Sequence, residues 1–314
     1  MDHPKMAVVG IGATGAVLAA ALLKYDPETH LVDPYPDLGE ALKKNGITIS
    51  GEVTFQVPVK HFFSRIESLK HYDPDIIFVS TKTFHFPRVL EEIGEIYTGG
   101  AKIVSTHNGL GTEDLIAERF GADSAFRMSL NFGVSLKGPG QVAMAFFNRP
   151  NHLGALALEN KTFGKKLAQI LTDNGLDTAF VDDIKLYVWK KMIMKCTMAS
   201  ICAVTDKTIK EALAFPPTRE IANSCFREVL AVAKARGYDL GEDYLQQALA
   251  YLEKVGIHKD SMCVDIAQQT PTEIDFLGGK VVEYARKLEI PTPYYQTMVN
   301  LVKAMEDHYL KKDS

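Results

Sequence analysis

The chain has 314 residues, 46% of them hydrophobic and 24% charged, which suits a globular protein long enough for two domains. Its net charge of -4 argues against nucleic acid or an anionic membrane surface as the main partner. No apolar run approaches the ~20 residues that span a bilayer, and MDHPKM leads straight into an apolar run, so neither a membrane span nor a signal peptide is expected.

The first apolar run ends in Val8 and Val9 and reads as a buried strand. Gly10, Gly12 and Gly15 follow in G-x-G-x-x-G spacing, AVLAAALL has the composition of a close-packed helix, and a short strand around His30–Val32 ends on Asp33. Each glycine has a reason in a dinucleotide site: a tight turn at Gly10, room for a pyrophosphate at Gly12, close helix–strand packing at Gly15. The helix start adds unpaired N–H groups and the positive end of its dipole. Gly10, Ile11, Gly12, Ala13, Thr14 and Gly15 are therefore the candidate cofactor-binding loop. A structural glycine turn in some other α/β domain is the competing reading. Asp33 stands where a carboxylate accepts from ribose hydroxyls and repels a 2′-phosphate, so NAD(H) is favoured, with NADP(H) as the alternative.

Beyond Asp33, PYPDLGEALKKNG reads as a loop and short helix, and ITISGEVTFQVPV as a hairpin. DPDIIFVSTK is a buried strand with Lys82 at its carboxyl end. A helix (VLEEIGEIY) and the strand AKIVSTH follow, ending in the loop His107–Gly111. Thr112 sits at a cap position for the helix TEDLIAERF. The alternation predicts a mostly parallel sheet with helices on both faces, and Gly10, Asp33, Lys82 and Asn108 are expected to line one crevice at the strands' carboxyl ends. From about 126 to 182 the pattern turns to antiparallel strands, one helix and a last short strand. Helices are predicted over 183–204, 217–236, 241–254, 260–268, 271–288 and 293–310. The expected domains are thus 1–182, α/β, and 183–314, all-helical.

The helical half holds several oddities. The apolar segment 187–204 carries Lys191 and Lys195 four residues apart on one face, continued by the small residues Ala199 and Cys202. Such lysines either snorkel to solvent or face a polar cleft. Glu273 fits a capping box with Thr270 and Pro271, or serves as a functional carboxylate. Ser261 reads as a helix cap and Asn108 as the start of an Asn-Gly turn, unless they bind a ligand. Asp265 and Asp275 read as solvated helix acids, and His85 and His107 as loop contacts. Cys196, Cys202, Cys225 and Cys263 form no C-x-x-C pair or metal spacing, so reduced thiols, no metal and a cytoplasmic location are expected.

Taken as a set, GIGATG at 10–15, HNGLG at 107–111, the Trp189-Lys190-Lys191 helix and DSM…TEID at 260–275 resemble the ketopantoate reductase (2-dehydropantoate 2-reductase) family over nearly the whole chain. The resemblance implies a Rossmann-type N-terminal domain, an all-α C-terminal domain and an active site in the cleft between them. It implies that Lys191 protonates the substrate carbonyl oxygen, that Asn108 helps hold the substrate, and that Ser261 and Glu273 contact its polar groups. Two departures stand out. Many members use NADPH and carry a basic residue where this chain has Asp33, although Lys82 would still favour a phosphate. The family's catalytic helix usually has asparagines at the positions of Lys195 and Ala199, so these two are candidate substrate contacts for a different 2-keto acid. The expected function is ketopantoate reduction with NAD(P)H. The alternatives are an NAD-dependent D-2-hydroxyacid dehydrogenase acting on a branched or aromatic 2-keto acid, or a dinucleotide sensor without catalysis. A homodimer is expected by family likeness.

Overall fold

A computed structural model describes residues 3–257 and 259–311. By its internal contacts the chain divides into two compact units: residues up to His107 with Thr112–Ile184, and Asn108–Gly111 with Lys185 onward.

In chain order the first unit contains β1 (Met6–Val9), α1 (Ala13–Tyr25), β2 (His30–Val32), α2 (Pro36–Asn45), β3 (Ile47–Gly51), β4 (Phe55–Val57), β5 (His61–Phe63), β6 (Ile76–Val79), α3 (Phe86–Ile96), β7 (Lys102–Ser105), α4 (Thr112–Phe120), β8 (Ala125–Ser129), β9 (Phe132–Gly138), β10 (Gln141–Phe147), β11 (Asn151–Ala155), α5 (Lys161–Asp173) and β12 (Thr178–Phe180). Eight strands form one sheet in the order β12-β11-β8-β7-β6-β1-β2-β5. From β8 to β5 every pairing is parallel; β11 runs antiparallel to β8, and β12 parallel to β11. Alternate residues of β1 serve opposite faces, as the two-residue strand period requires. Met6 and Val8 join one apolar cluster, Ala7 and Val9 the other, so both faces are covered.

The hairpin expected at 47–59 forms as β3 and β4, but it belongs to a second sheet that sequence reading did not anticipate, ordered β4-β3-β10-β9. β3 pairs in parallel with β10, a contact about ninety residues away in sequence. This second sheet explains the composition of α1. Residues Gly15 to Leu23 are all buried, because the helix packs against β1 of the large sheet as well as β3, β4, β9 and β10 of the small one. A helix covered on all sides is apolar all round.

The second unit contains α6 (Ile184–Thr205), α7 (Ile209–Ala214), α8 (Pro216–Ala235), α9 (Tyr244–Val255), α10 (Ser261–Ala267), α11 (Gly278–Lys287) and α12 (Pro293–Leu310). The all-helical expectation holds here, with two local corrections. α7 was not foreseen; it starts in a capping box in which Thr208 and Glu211 bond each other's backbone N–H groups. The single helix expected over 271–288 is broken: a 3-10 turn, Ile274–Phe276, precedes α11. The core joins distant helices through paired polar groups. Tyr295 of α12 is buried with its hydroxyl 2.6 Å from the Thr197 hydroxyl of α6, and Glu228 of α8 accepts from the backbone N–H groups of Tyr294 and Tyr295. Among the described residues no helix is long and apolar enough to cross a membrane.

Candidate functional site

In the first unit the glycine loop has the geometry that its residue types demand. Gly10 has φ +90°, and a Cβ there would stand 2.7 Å from the backbone nitrogen of Thr81. A Cβ on Gly15 would stand 1.9 Å from the carbonyl oxygen of Gly10, so only glycine lets α1 approach the turn so closely. Gly12 is different: it is exposed, and an added Cβ would meet nothing within 4 Å. It is also the N-cap of α1, where it has no side chain to satisfy the first N–H groups, and Ala13 and Thr14 open the helix. An open amino end on a long helix is suited to a phosphate group, so these residues fit the pyrophosphate of a dinucleotide.

Asp33 follows β2 and is 7% exposed. Its Oδ2 accepts from the N–H of Ile11 at 2.8 Å, and Oδ1 from the N–H of Tyr35 at 3.3 Å. The carboxylate thus ties the glycine loop to the end of β2. Burial raises its pKa, while the bonds from Ile11 and Tyr35 oppose the rise. Lys82 lies just beyond β6 and is exposed. Gly10, Asp33 and Lys82 therefore follow the carboxyl ends of three neighbouring strands, β1, β2 and β6. Asn108 likewise follows the end of β7, the strand next to β6, and by its contacts it groups with the helical unit.

The segment Asn108–Gly111 is held in that unit at three points. Lys191 donates to Asn108 Oδ1 at 2.8 Å. The N–H of Leu110 bonds the carbonyl of Phe276 at 2.9 Å. Gly111, at φ +78°, packs so that a Cβ would stand 2.6 Å from the Tyr284 hydroxyl. An Asn-Gly turn and a ligand contact were alternatives for Asn108 in sequence. Here its amide oxygen receives a lysine ammonium, which leaves the amide N–H groups as the donors it can present elsewhere.

Lys191 and Lys195 lie one turn apart on α6, both half-buried, whereas the neighbouring Lys190 is exposed. Neither follows the snorkelling reading. Lys195 Nζ donates to Asp260 Oδ2 at 2.6 Å, Asp260 Oδ1 at 2.8 Å and Ser261 Oγ at 2.9 Å. Burial alone would lower the Lys195 pKa, but the Asp260 carboxylate, helped by Glu273, more than offsets it and the net shift is upward. The helix cap expected of Ser261 is made by Asp260, whose side chain accepts from the N–H of Met262; Ser261 is the first residue of α10 and is exposed. The capping box expected around Glu273 does not form. Thr270 turns back to bond the carbonyl of Asp265, and Glu273 sits half-buried at the start of the 3-10 turn, its carboxylate near enough to Lys195 to help hold the ammonium charged. Ala199 is fully buried, as is Cys202, so the small-residue face offers no open surface to a ligand. Asp265 also departs from expectation, since it is buried rather than solvated; Asp275 is exposed and pairs with Lys303.

Two residues escaped the sequence reading. Asp260 had a usable signal: a lysine on an apolar helix needs a buried counter-charge, and an acid directly before Ser261 can supply one. Arg127, in the fully buried strand β8, is the other. Its guanidinium donates to the Ser105 and Thr112 hydroxyls and the carbonyl of His107, and Nε lies 3.7 Å from the buried Glu113 carboxylate. It joins the end of β7 to the start of α4. Thr112 accordingly spends its hydroxyl in this network and not simply as a cap. His107 bonds Ser105 and Thr81, and burial, with Arg127 nearby, drives its pKa down to about 3, so it is a neutral structural contact.

The family model described as ketopantoate reductase PanE/ApbA matches residues 6–157, and the one described as ketopantoate reductase PanE/ApbA C terminal matches residues 183–306. A 2-dehydropantoate 2-reductase of Streptococcus pyogenes serotype M1 is 28% identical over 303 residues, covering 95% of this chain and 97% of its own. Among solved structures, the ternary complex of D-mandelate dehydrogenase with NADH and anilino(oxo)acetate superposes with a TM-score of 0.87 at 24% identity, covering 98% of this chain and 99% of the other. A 2-dehydropantoate 2-reductase from Geobacter metallireducens GS-15 gives the same TM-score and identity, covering 96% and 99%. With both family models spanning most of its length and in chain order, the chain belongs to the ketopantoate reductase family, oxidoreductases that use NAD(P)H and act on the CH–OH group.

Proposed function

We propose that this chain reduces the 2-keto group of ketopantoate to the alcohol, with Lys191 as the general acid. The observation that carries the reading is the half-buried Lys191 ammonium held 2.8 Å from Asn108 Oδ1. Gly10–Gly15 would hold the dinucleotide, which would supply the hydride when bound. Reduction then develops an alkoxide, and a fixed ammonium within hydrogen-bond reach both stabilises that charge and delivers the proton. Asn108 orients Lys191 and offers its amide N–H groups to a substrate oxygen. Ser261, exposed at the start of α10, contacts a further polar group, and Glu273 keeps the lysine face of α6 electrically balanced. Asp33 favours NADH over NADPH, because its carboxylate repels a 2′-phosphate.

The Lys195–Asp260 pair supports a second reading. An asparagine at position 195 would offer an amide that both donates and accepts, suited to a substrate hydroxyl, whereas an ammonium held by Asp260 and Ser261 accepts nothing. That favours a D-2-hydroxyacid dehydrogenase acting on a branched or aromatic 2-keto acid, and the likeness to D-mandelate dehydrogenase is in keeping with it. Steady-state reduction of ketopantoate, 2-ketoisovalerate and phenylglyoxylate, each with NADH and NADPH, separates the two. The higher kcat/KM for ketopantoate is expected under the first reading; a winner without the 4-hydroxyl selects the second. Dinucleotide binding with no turnover of any keto acid would leave only a sensor.

A further inference from the structure

We infer that Lys195 and Asp260 are positioning residues that act on the substrate through Ser261, fixing its hydroxyl as a donor toward a carboxylate. This assigns Lys195 a different task from direct substrate contact, and it rests on the reading of the chain as a 2-keto acid reductase.

Three observations carry it. First, the Lys195 ammonium is held by two groups of the protein: both oxygens of the Asp260 carboxylate, at 2.8 and 2.6 Å, and Ser261 Oγ, at 2.9 Å. The charge is matched inside the protein, and the ammonium is turned toward Asp260 and Ser261. Second, Asp260 is fixed in turn. Its side chain is 7% exposed, and Oδ1 also accepts from the N–H of Met262 at 2.9 Å. Drawing Lys195 toward a substrate would strand a buried carboxylate, so the pair resists being opened. Third, only one member of the cluster is exposed. The Lys195 and Asp260 side chains are 17% and 7% accessible, while Ser261 is open.

The polarity of that open hydroxyl follows. A serine hydroxyl ordinarily chooses between donating and accepting. Ser261 Oγ already accepts from an ammonium, which has no lone pair to receive a proton in return. Its own O–H must therefore point elsewhere, and the group it best serves is one that only accepts. A 2-keto acid has two such groups, its keto oxygen and its carboxylate; Lys191 serves the first, which leaves the carboxylate for Ser261. Asp260 keeps Lys195 charged, Lys195 orients Ser261, and Ser261 alone makes the contact.

A double-mutant cycle on the full chain tests this, using whichever 2-keto acid the wild type reduces best. Ser261→Ala should raise KM by about tenfold to a hundredfold, the scale of a hydrogen bond to a charged group, with kcat little changed. Lys195→Met should raise KM about tenfold in the wild-type background and less than about twofold once Ser261 is alanine. Lys195→Arg, which keeps the charge, should recover most of the loss, and Asp260→Asn should follow Lys195→Met. An equal effect of Lys195→Met in both backgrounds would mean that Lys195 meets the substrate itself, overturning the assignment; so would a fall in kcat at constant KM. Where a charge-deleting variant fails to fold, the 15N resonance of the Lys195 ammonium in the otherwise wild-type Ser261→Ala protein decides. A shift supports the Lys195–Ser261 bond, and an unmoved resonance defeats it. A wild-type chain that turns over no 2-keto acid is a separate outcome, which overturns the functional reading and this inference with it.

Discussion

The glycine loop and the lysine cluster are built in opposite ways. From Met6 to Asp33 the chain runs strand, turn, helix and strand without a break, and its spacing is set largely by neighbours: Gly15 packs against the Gly10 carbonyl, and Asp33 accepts from Ile11 N–H. The cluster on α6 is assembled across long loops of sequence: Lys191 meets Asn108 from 83 residues away, and Lys195 meets Asp260 from 65. The contrast shows where chemical constraint is visible. A contiguous loop displays it as spacing, whereas a long-range pair hides it, since each partner has an ordinary local explanation.

The largest effect is expected where a long-range pair is buried most deeply. Arg127→Met leaves the Glu113 carboxylate, 3% exposed, without its counter-charge, and should cost about 3–5 kcal/mol of stability in denaturant titration. Adding Glu113→Gln should return a good part of the loss. No recovery would show that the hydrogen bonds to Ser105, Thr112 and His107 matter, and the ion pair does not.

Next in size is the chemistry assigned to α6. Lys191→Ala should lower kcat by at least about 10²-fold, the scale of losing a general acid, while dinucleotide binding on the glycine loop stays within about twofold. Near wild-type turnover would take Lys191 out of the mechanism. A matching loss of dinucleotide affinity would mean that the two regions are not energetically separate.

These two variants also mark what sequence alone could yield. The parallel α/β architecture, the helical half and the three glycines were legible, because period-two burial, helix composition and turn geometry are properties of neighbouring residues. Glu273 was not. Thr270, Pro271 and Glu273 make a good capping box on paper, yet the chain forms a 3-10 turn at Ile274–Phe276, and Thr270 bonds Asp265 instead. Tertiary contacts overrode the local cap. Arg127 was hidden for a similar reason: a single charge in an apolar strand is explicable only once Ser105, Thr112 and Glu113 are brought around it. The second sheet depends on the parallel pairing of β3 with β10, which no local pattern encodes.

A smaller effect, and one that varies with pH, comes from His107. Its folded pKa is about 3, against an ordinary value of 6.5. Below pH 6.5 the unfolded chain therefore binds a proton that the native state refuses, so the stability due to neutral His107 is full above pH 6.5 and is lost as pH falls toward 3. Well inside that window the loss approaches about 1.4 kcal/mol per pH unit. Urea titrations of wild type and His107→Gln at pH 7 and pH 5 should show the wild type losing more. Parallel losses would mean that His107 titrates normally and is not sealed from water.

The smallest effect belongs to the contiguous region, and it separates two duties of one side chain. Asp33 supports the loop through Ile11 N–H and, in the proposed complex, discriminates against a 2′-phosphate. Asp33→Asn keeps an oxygen for Ile11 but removes the charge. The ratio of kcat/KM for NADPH over NADH should then rise about tenfold, a modest share of what like-charge contact can cost. Because the loop contact survives, kcat/KM with NADH should fall much less than that. If the ratio stays fixed while activity with both dinucleotides falls together, Asp33 serves the loop alone, and cofactor preference must lie with another group such as Lys82. Even a local motif would then carry a residue whose type reflects folding more than ligand choice.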